Sequence, residues 1–411
     1  MVSKNLKFTI RWSRIVLLSF LTIFFLSSCF PRGRGEIPTI RITIENPLPI
    51  KRTDVPVVLK LSDIRKVDEK FSFDLYIITP SEPPEKGQPP VRIPSQVDDM
   101  DYDGVNDELI FIVDLEPEEI KTVLLRYPPE GQKEKVTFGH SKRTKAGIFP
   151  ELGGAALESE FSAYLITSQN AILPLGKSSS GLMLNKYAKS RTDEIEIFPI
   201  VYPTKNKQDW IGCGGFALWK DNTLLPLRSD RSRRYVRVLS DGPVRSVVEV
   251  IYQDYSIDDT LSNISARFSI IAGHREVKSQ IKIKGDVSLS QIATGLPYAL
   301  TDNDSKEGYA YSWDASHSTG TALIYPTGQL STIQDKAPVI GMKNFRESPT
   351  AIFDLDRNGS LTYYALAVAG QGEIAIKDQS QFKSLLSVVA AQINSPPIVK
   401  ILPQEKPQKG K

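Results

Sequence analysis

From Pro38 onward, apolar and polar residues alternate with a period of two. TIRITIENPL sets isoleucines against polar neighbours, the pattern of a half-buried strand. The segments VPVVLKL, FSFDLYII, VRIPSQV, ELIFIVDL and KTVLLRY continue it, separated by Pro-, Asp- and Gly-rich connections that include SEPPEKGQPP at 81–90. These six strands predict a small β domain over residues 38–128, either a sandwich or a small barrel. Residues 129–147 are polar and breaker-rich and read as a linker whose second half is compatible with a strand. Beyond it, over 148–403, VRSVVEVIYQDY, NISARFSIIAG, REVKSQIKIKG, GTALIYP and TYYALAVAG are longer and rich in β-branched and aromatic residues. They predict one large antiparallel sandwich. Helical spacing is best developed in SQFKSLLSVVAAQIN (380–394), through Leu385, Val388, Val389 and Ile393. The charged, Pro-containing tail 404–411 is expected to be disordered. The fold class is all-β.

The N-terminus breaks this pattern. Lys4, Lys7, Arg11 and Arg14 precede a twelve-residue apolar run, Ile15–Leu26. That run is short for a bilayer span of about 20 residues and suits the core of a signal peptide over residues 1–28. Leu26-Ser27-Ser28-Cys29 follows and resembles a bacterial lipobox, in which Cys29 becomes the lipidated first residue, with 29–37 as a tether. An uncleaved signal anchor is the other reading. Phe30 after the cysteine, in place of aspartate, favours an outer-membrane lipoprotein of the bacterial envelope, attached to the membrane through its lipid.

Removing residues 1–28 takes away four basic and no acidic side chains, so the formal charge falls from +3 to −1. No clustered basic surplus of a nucleic-acid binder remains. Cys213 is the only other cysteine, which leaves no intrachain disulfide and reads as a buried apolar residue.

Candidate chemistry begins at Ile93–Leu115, IPSQVDDMDYDGVNDELIFIVDL. Asp99, Asp101, Asp103 and Asp107 supply oxygens at alternate positions around Gly104, as a calcium loop would. Ile110 stands where an EF-hand carries its closing glutamate, and a solvated hairpin tip remains the alternative. Histidines number three, His140, His274 and His317, without metal-protease or paired-cysteine spacing. In RSDRSRRYVRV, Arg231, Arg233, Arg234 and Arg237 surround Tyr235, and Arg245 follows. Guanidinium forks bind carboxylate or sulfate, although a charged loop entering a strand reads the same way. Trp210, Trp219, Trp313, Tyr309 and Tyr311 are either sugar-stacking platforms or core. Glu158 and Glu160 alternate in LESEF and would share one face of a strand.

SQVDDMDYDGVNDELIFIVDL, LESEFSAY, WIGCGGFALW and YVRVLSDGPVRSVVEVIY occur in the order of the family known as domain of unknown function 4861, which this chain resembles over roughly 38–370. The resemblance implies a bacterial secreted protein associated with polysaccharide degradation. It also implies a small β domain followed by a large β-supersandwich, and lyase or dehydratase chemistry on uronate-type sugars. On this resemblance Glu158 falls on the family's acidic block, Lys186 on its lysine, and Arg237 and Arg245 on its strand block. Leu157 and Leu165 stand where the family carries tryptophan and arginine, and no histidine lies between Lys186 and Trp210.

The expected function is therefore a lipoprotein acting on acidic oligosaccharides by β-elimination or dehydration. Arg237 or Arg234 would neutralise the substrate carboxylate, and Tyr235 or His274 would move the proton. Glu158, Lys186, Arg245 and Trp210 are expected to help bind substrate. A non-catalytic glycan-binding or structural envelope protein is the alternative.

Overall fold

The computed structural model describes residues 37–83, 86–88, 91–128, 139–168, 171–189, 197–200, 211–227, 232–257, 260–285, 291–339 and 348–403. The signal segment, Cys29, Trp210, Arg231 and the tail 404–411 lie outside them.

The alternation in TIRITIE becomes the strand Thr39–Glu45, with Ile40, Ile42 and Ile44 buried. It pairs antiparallel with Ile120–Arg126 on one side and with Ile398–Leu402 on the other. Ile77–Pro80 completes this four-stranded sheet. Arg52–Lys60, Glu108–Leu115 and Ser95–Asp98 form a second sheet, and the two enclose a core that includes Val57, Phe71, Phe111 and Leu125. The chain's end thus completes its first β unit, so 398–402 does not belong with the large sandwich to which the pattern alone assigned it.

The large unit has an eight-stranded antiparallel sheet running Arg233–Asp241, Arg245–Ile257, Thr260–Ile271, Val277–Lys284, Ser360–Ala369, Thr319–Ile324, Tyr309–Asp314 and Asp302–Asp304. Two five-stranded sheets face it, and a bridge between Ile172 and Gly212 joins them. The shared core draws Leu157, Tyr164 and Ile166 from one small sheet and Phe216 and Phe353 from the other. The large sheet contributes Val248, Phe268 and Tyr363. Cys213 is buried here, and its thiol is pushed up to about 12 by burial.

The helix Gln379–Asn394 matches the spacing in the sequence and is capped by Asp378, whose side chain accepts from the Gln381 amide. Its Phe382, Leu386 and Val389 cover one half of the large sheet's outer face, against Tyr309, Tyr311 and Ile324. Among the described residues no helix covers the other half. No helix among the described residues is long and apolar enough to cross a membrane.

Glu108–Leu115 is buried on both faces, which explains its continuous apolar run. Leu109, Phe111 and Val113 point into the first unit's core, while Ile110 and Ile112 pack against Val244 and Ala272 of the large unit. Polar groups surround this seam. The amides of Val244 and Arg245 both donate to Gln96 Oε1, at 2.7 and 2.8 Å. Arg143 forks onto Asp54 at 2.6 and 2.9 Å. Two turn glycines allow this close approach. A Cβ on Gly242 would meet Gln96 at 2.2 Å, and one on Gly273 would meet Asp54 at 2.1 Å.

Candidate binding cleft

On the uncovered half of the large sheet, strand register lines side chains up in rungs. Arg237 lies opposite Glu249, Glu249 opposite Arg267, Arg267 opposite Gln280 and Gln280 opposite Thr362. The next rung holds Tyr235, Ile251, Ser265, Lys282 and Ser360, and beyond it Asn263 faces Lys284. Neighbouring strands lie about 4.8 Å apart and successive rungs about 6.8 Å, so side chains on one face stand as a grid. All of these positions except Tyr235 line a cleft of about 500 Å³.

Charge in the cleft is uneven. Glu249, only 3% exposed, accepts from Arg237 Nε and from Arg267 Nε, each at 2.7 Å. Lys282 and Lys284 are exposed and have no ion-pair partner among the described residues. Four cations therefore stand against Glu249 and, at the rim, Asp101.

Asp101 belongs to the acidic loop, which the chain order sets in the first unit. The structure brings that loop to the cleft, where Arg237 lies over the Tyr102 ring at 4.8 Å. Tyr102 is 60% exposed and Tyr235 44%, which leaves two aromatic surfaces for stacking beside the cationic floor. Within the loop, Asp99 accepts the amides of Tyr102 at 2.6 Å and Gly104 at 2.8 Å, and Asp107 accepts that of Met100 at 2.6 Å. Desolvation opposes ionisation of Asp99, yet the Gly104, Tyr102 and Asp103 amides outweigh it and hold its carboxyl below the usual range. Desolvation and the charges of Asp103 and Asp107 push Asp101 the other way. One oxygen from each of Asp99, Asp101 and Asp107 lies within 4.8 Å of the others, so these three could share a cation. Asp103 stands outside that group and accepts the Val105 amide instead.

The other residues singled out in the sequence do not converge on the cleft. Arg234 points to the opposite side of its strand, donating to Tyr252 Oη and to the Thr167 carbonyl, both at 3.1 Å. Arg245 is buried in the seam on Asp98 and Glu108. Glu158 is fully buried on Lys177, while Glu160 pairs with Arg143. The strand ends at Ser159, so the two glutamates part company beyond it. Lys186 is exposed on the short helix Leu184–Lys189.

His274 has both ring nitrogens engaged, Nδ1 with Glu276 at 2.7 Å and Nε2 with the Asp54 carbonyl at 3.0 Å. Burial disfavours its charge, but the Glu276 carboxylate prevails and raises its pKa. Trp219 is core, and Trp313, Tyr309 and Tyr311 pack under the last helix. Of the sequence candidates, Arg237 and Asp101 line the cleft, and Tyr235 stands one rung from Arg237 on the same face, outside the lining. Glu249, Arg267, Lys282 and Lys284 join them in the lining, Tyr102 reaches it only through Arg237, and the alternate lysines of VKSQIKIK were the available signal.

The fold and cleft define a two-unit, all-β protein with a supersandwich and an open, cationic sheet face. The chain belongs to the family described as domain of unknown function 4861 (DUF4861), whose model matches residues 44–158 and 210–399. No curated protein matches it. Among solved structures it is similar to a glycosyl hydrolase family 38 protein from Enterococcus faecalis, with a TM-score of 0.51 at 11% identity, over 90% of this chain and 48% of that one. An α-mannosidase from Enterococcus faecalis V583 gives a TM-score of 0.49 at 11% identity, over 95% and 49%. The chain spans about half the length of each, and the likeness to the first is one of fold.

Proposed function

We propose that this protein binds acidic, uronate-type oligosaccharides in the cleft of its large sheet. The observation that carries this reading is the grid of Arg237, Arg267, Lys282 and Lys284 on an open face, with Glu249 and Asp101 as its carboxylates. An extended polyanion suits a flat cationic floor flanked by exposed tyrosines. The basic, apolar and small-residue order that ends at Cys29 supports delivery as a lipoprotein of the outer membrane.

Elimination is the finer reading, and Tyr235 favours it, being exposed one rung along from Arg237 on the same face. In that step a base removes the proton α to the sugar carboxylate. The freed electron pair forms the carbon–carbon double bond, and the carbon–oxygen bond to the leaving group breaks. Arg237 would neutralise the carboxylate, and the Tyr235 hydroxyl would carry a proton. His274, held on both nitrogens in the seam, takes no part in this reading.

Titrating the purified protein with acidic and neutral oligosaccharides tests the proposal. Acidic chains are expected to bind, more weakly as salt rises, and neutral ones of equal length are not. New ultraviolet absorbance from an unsaturated sugar would add the elimination step. If no acidic oligosaccharide binds, the cleft has another role.

The same reading gives the acidic loop a structural calcium ion, held by Asp99, Asp101 and Asp107. Desolvation and then the charges of Asp103 and Asp107 raise Asp101, and a cation would relieve the repulsion among these carboxylates. Calcium is expected to raise the Tm and a chelator to lower it. An unchanged Tm would leave a plain acidic turn held by its own amides.

A further inference from the structure

The cleft's cations fall into two groups that differ in geometry as well as in charge. In the first rung, Glu249 sits between Arg237 and Arg267, with one oxygen toward each. The two arginines stand about 9.6 Å apart at the backbone, two strand spacings, and their heads converge on the carboxylate between them. Arg237 spends Nε and one terminal nitrogen on Glu249, and Arg267 spends Nε. The remaining N–H groups of both belong to side chains about a third exposed, at 29% and 33%. This rung has a net charge of +1 and offers planar forks, the geometry that takes one carboxylate or sulfate.

Lys282 and Lys284 form the second group. They stand about 6.8 Å apart on one strand, one and two rungs from the arginines, which sets them roughly 7 and 14 Å along the strand direction. Their ammonium groups are point charges with no fork to match. A single uronate ring offers one carboxylate and cannot serve both groups.

We infer that the cleft contains two anion subsites, a fork subsite at Arg237 and Arg267 positioned by Glu249, and a charge subsite at Lys282 and Lys284. It therefore selects oligosaccharides bearing anions on successive sugars over single acidic sugars. The inference rests on the proposed binding of acidic oligosaccharides and adds a length and charge-spacing requirement to it. Glu249 is a positioning residue. It costs the rung one positive charge and in return fixes both guanidiniums toward the opening.

The experiment is calorimetric titration with galacturonate monomer and its linear tetramer, with a neutral tetramer as control and circular dichroism to verify the fold of each variant. Wild type is expected to bind the acidic tetramer at least about tenfold tighter than the monomer, because the second contact becomes intramolecular. K282Q/K284Q, both at exposed positions, is expected to remove that preference by weakening the tetramer at least about tenfold more than the monomer. R267K keeps the charge and loses the fork, and should weaken both ligands about tenfold. E249Q separates position from charge. It adds one positive charge to the rung, yet is expected to weaken binding because Arg237 and Arg267 lose their common anchor.

If wild type binds monomer and tetramer alike, or K282Q/K284Q retains the preference, the two subsites are overturned while oligosaccharide binding stands. Tighter binding by E249Q, or an unaffected R267K, would reduce the first rung to a plain charged patch and overturn the fork subsite. If folded wild type binds neither acidic ligand, the functional reading fails and the subsites fail with it.

Discussion

Replacing Lys177 with methionine is expected to cost about 3–5 kcal/mol of stability, the range for breaking a buried ion pair from one side. Both partners of the Lys177–Glu158 pair are fully buried. Lys177 Nζ donates to Glu158 Oε2 at 2.5 Å, to the Ser159 carbonyl at 2.6 Å and to the Gly181 carbonyl at 2.7 Å, which satisfies all three of its hydrogens. Glu158 also accepts the amides of Met183 and Leu184, each at 2.8 Å. Burial pulls the Lys177 pKa down and Glu158 opposes it, with burial prevailing.

Methionine fills the space of the lysine stem but leaves a buried carboxylate with two amides and orphans two carbonyls. The double variant Lys177→Met with Glu158→Leu is expected to recover only part of the loss, since the carbonyls and amides stay unpaired. Urea unfolding would measure both. A loss below about 1 kcal/mol for the single variant would show that water reaches Glu158, because an exposed ion pair is worth no more than that.

The second large effect is expected at Arg245. Its Nε and Nη2 donate to Asp98 Oδ2 at 2.8 and 2.5 Å, and Nη2 also reaches Glu108 at 2.9 Å, so one side chain links the two β units. Arg245→Ala strands Asp98, 4% exposed, with Gln96 and Ser240 as its side-chain partners. A loss of about 3–5 kcal/mol is again expected, here concentrated in the seam. Calorimetry should show one transition for wild type and a separate, earlier melting of the first unit in the variant. Arg245→Lys should fall between, since it keeps a charge and loses the fork. A single transition with an unchanged midpoint in Arg245→Ala would mean that Ile110, Ile112, Val244 and Ala272 hold the units together alone.

The fold was largely legible in the sequence, because it rests on local alternation. Ile40, Ile42 and Ile44, and the helix at 379–394, lie where periodicity placed them. FSFDLYII was less faithful, since the paired strand is only Ile77–Pro80 and Phe71 and Phe73 serve the core from outside it. The site was less legible. Arg245 and His274 have the right chemistry for an active site, but tertiary packing spends both on the seam. The lysines of VKSQIKIK could be assigned to one strand face, yet whether that face meets solvent or a helix depends on where Gln379–Asn394 docks. Asp101 and Tyr102 are far in sequence from Arg237, and it is the seam between the units, with its close contacts at Gly242 and Gly273 and the Arg245 bridge to Asp98, that carries their loop to the cleft.

The strand Ile398–Leu402, hydrogen-bonded to Thr39–Glu45, also orders events in time. During synthesis the first unit can pair Thr39–Glu45 with Ile120–Arg126 early, but that sheet keeps an open edge until everything up to Leu402 has left the ribosome. Arg52 waits equally long for its acceptors, the carbonyls of Gln392 and Ser395. Such long-range closure is slow and exposes strand edges in the interval. A chain stopped before Ile398 would carry that unpaired edge permanently and is expected to be prone to edge-to-edge association.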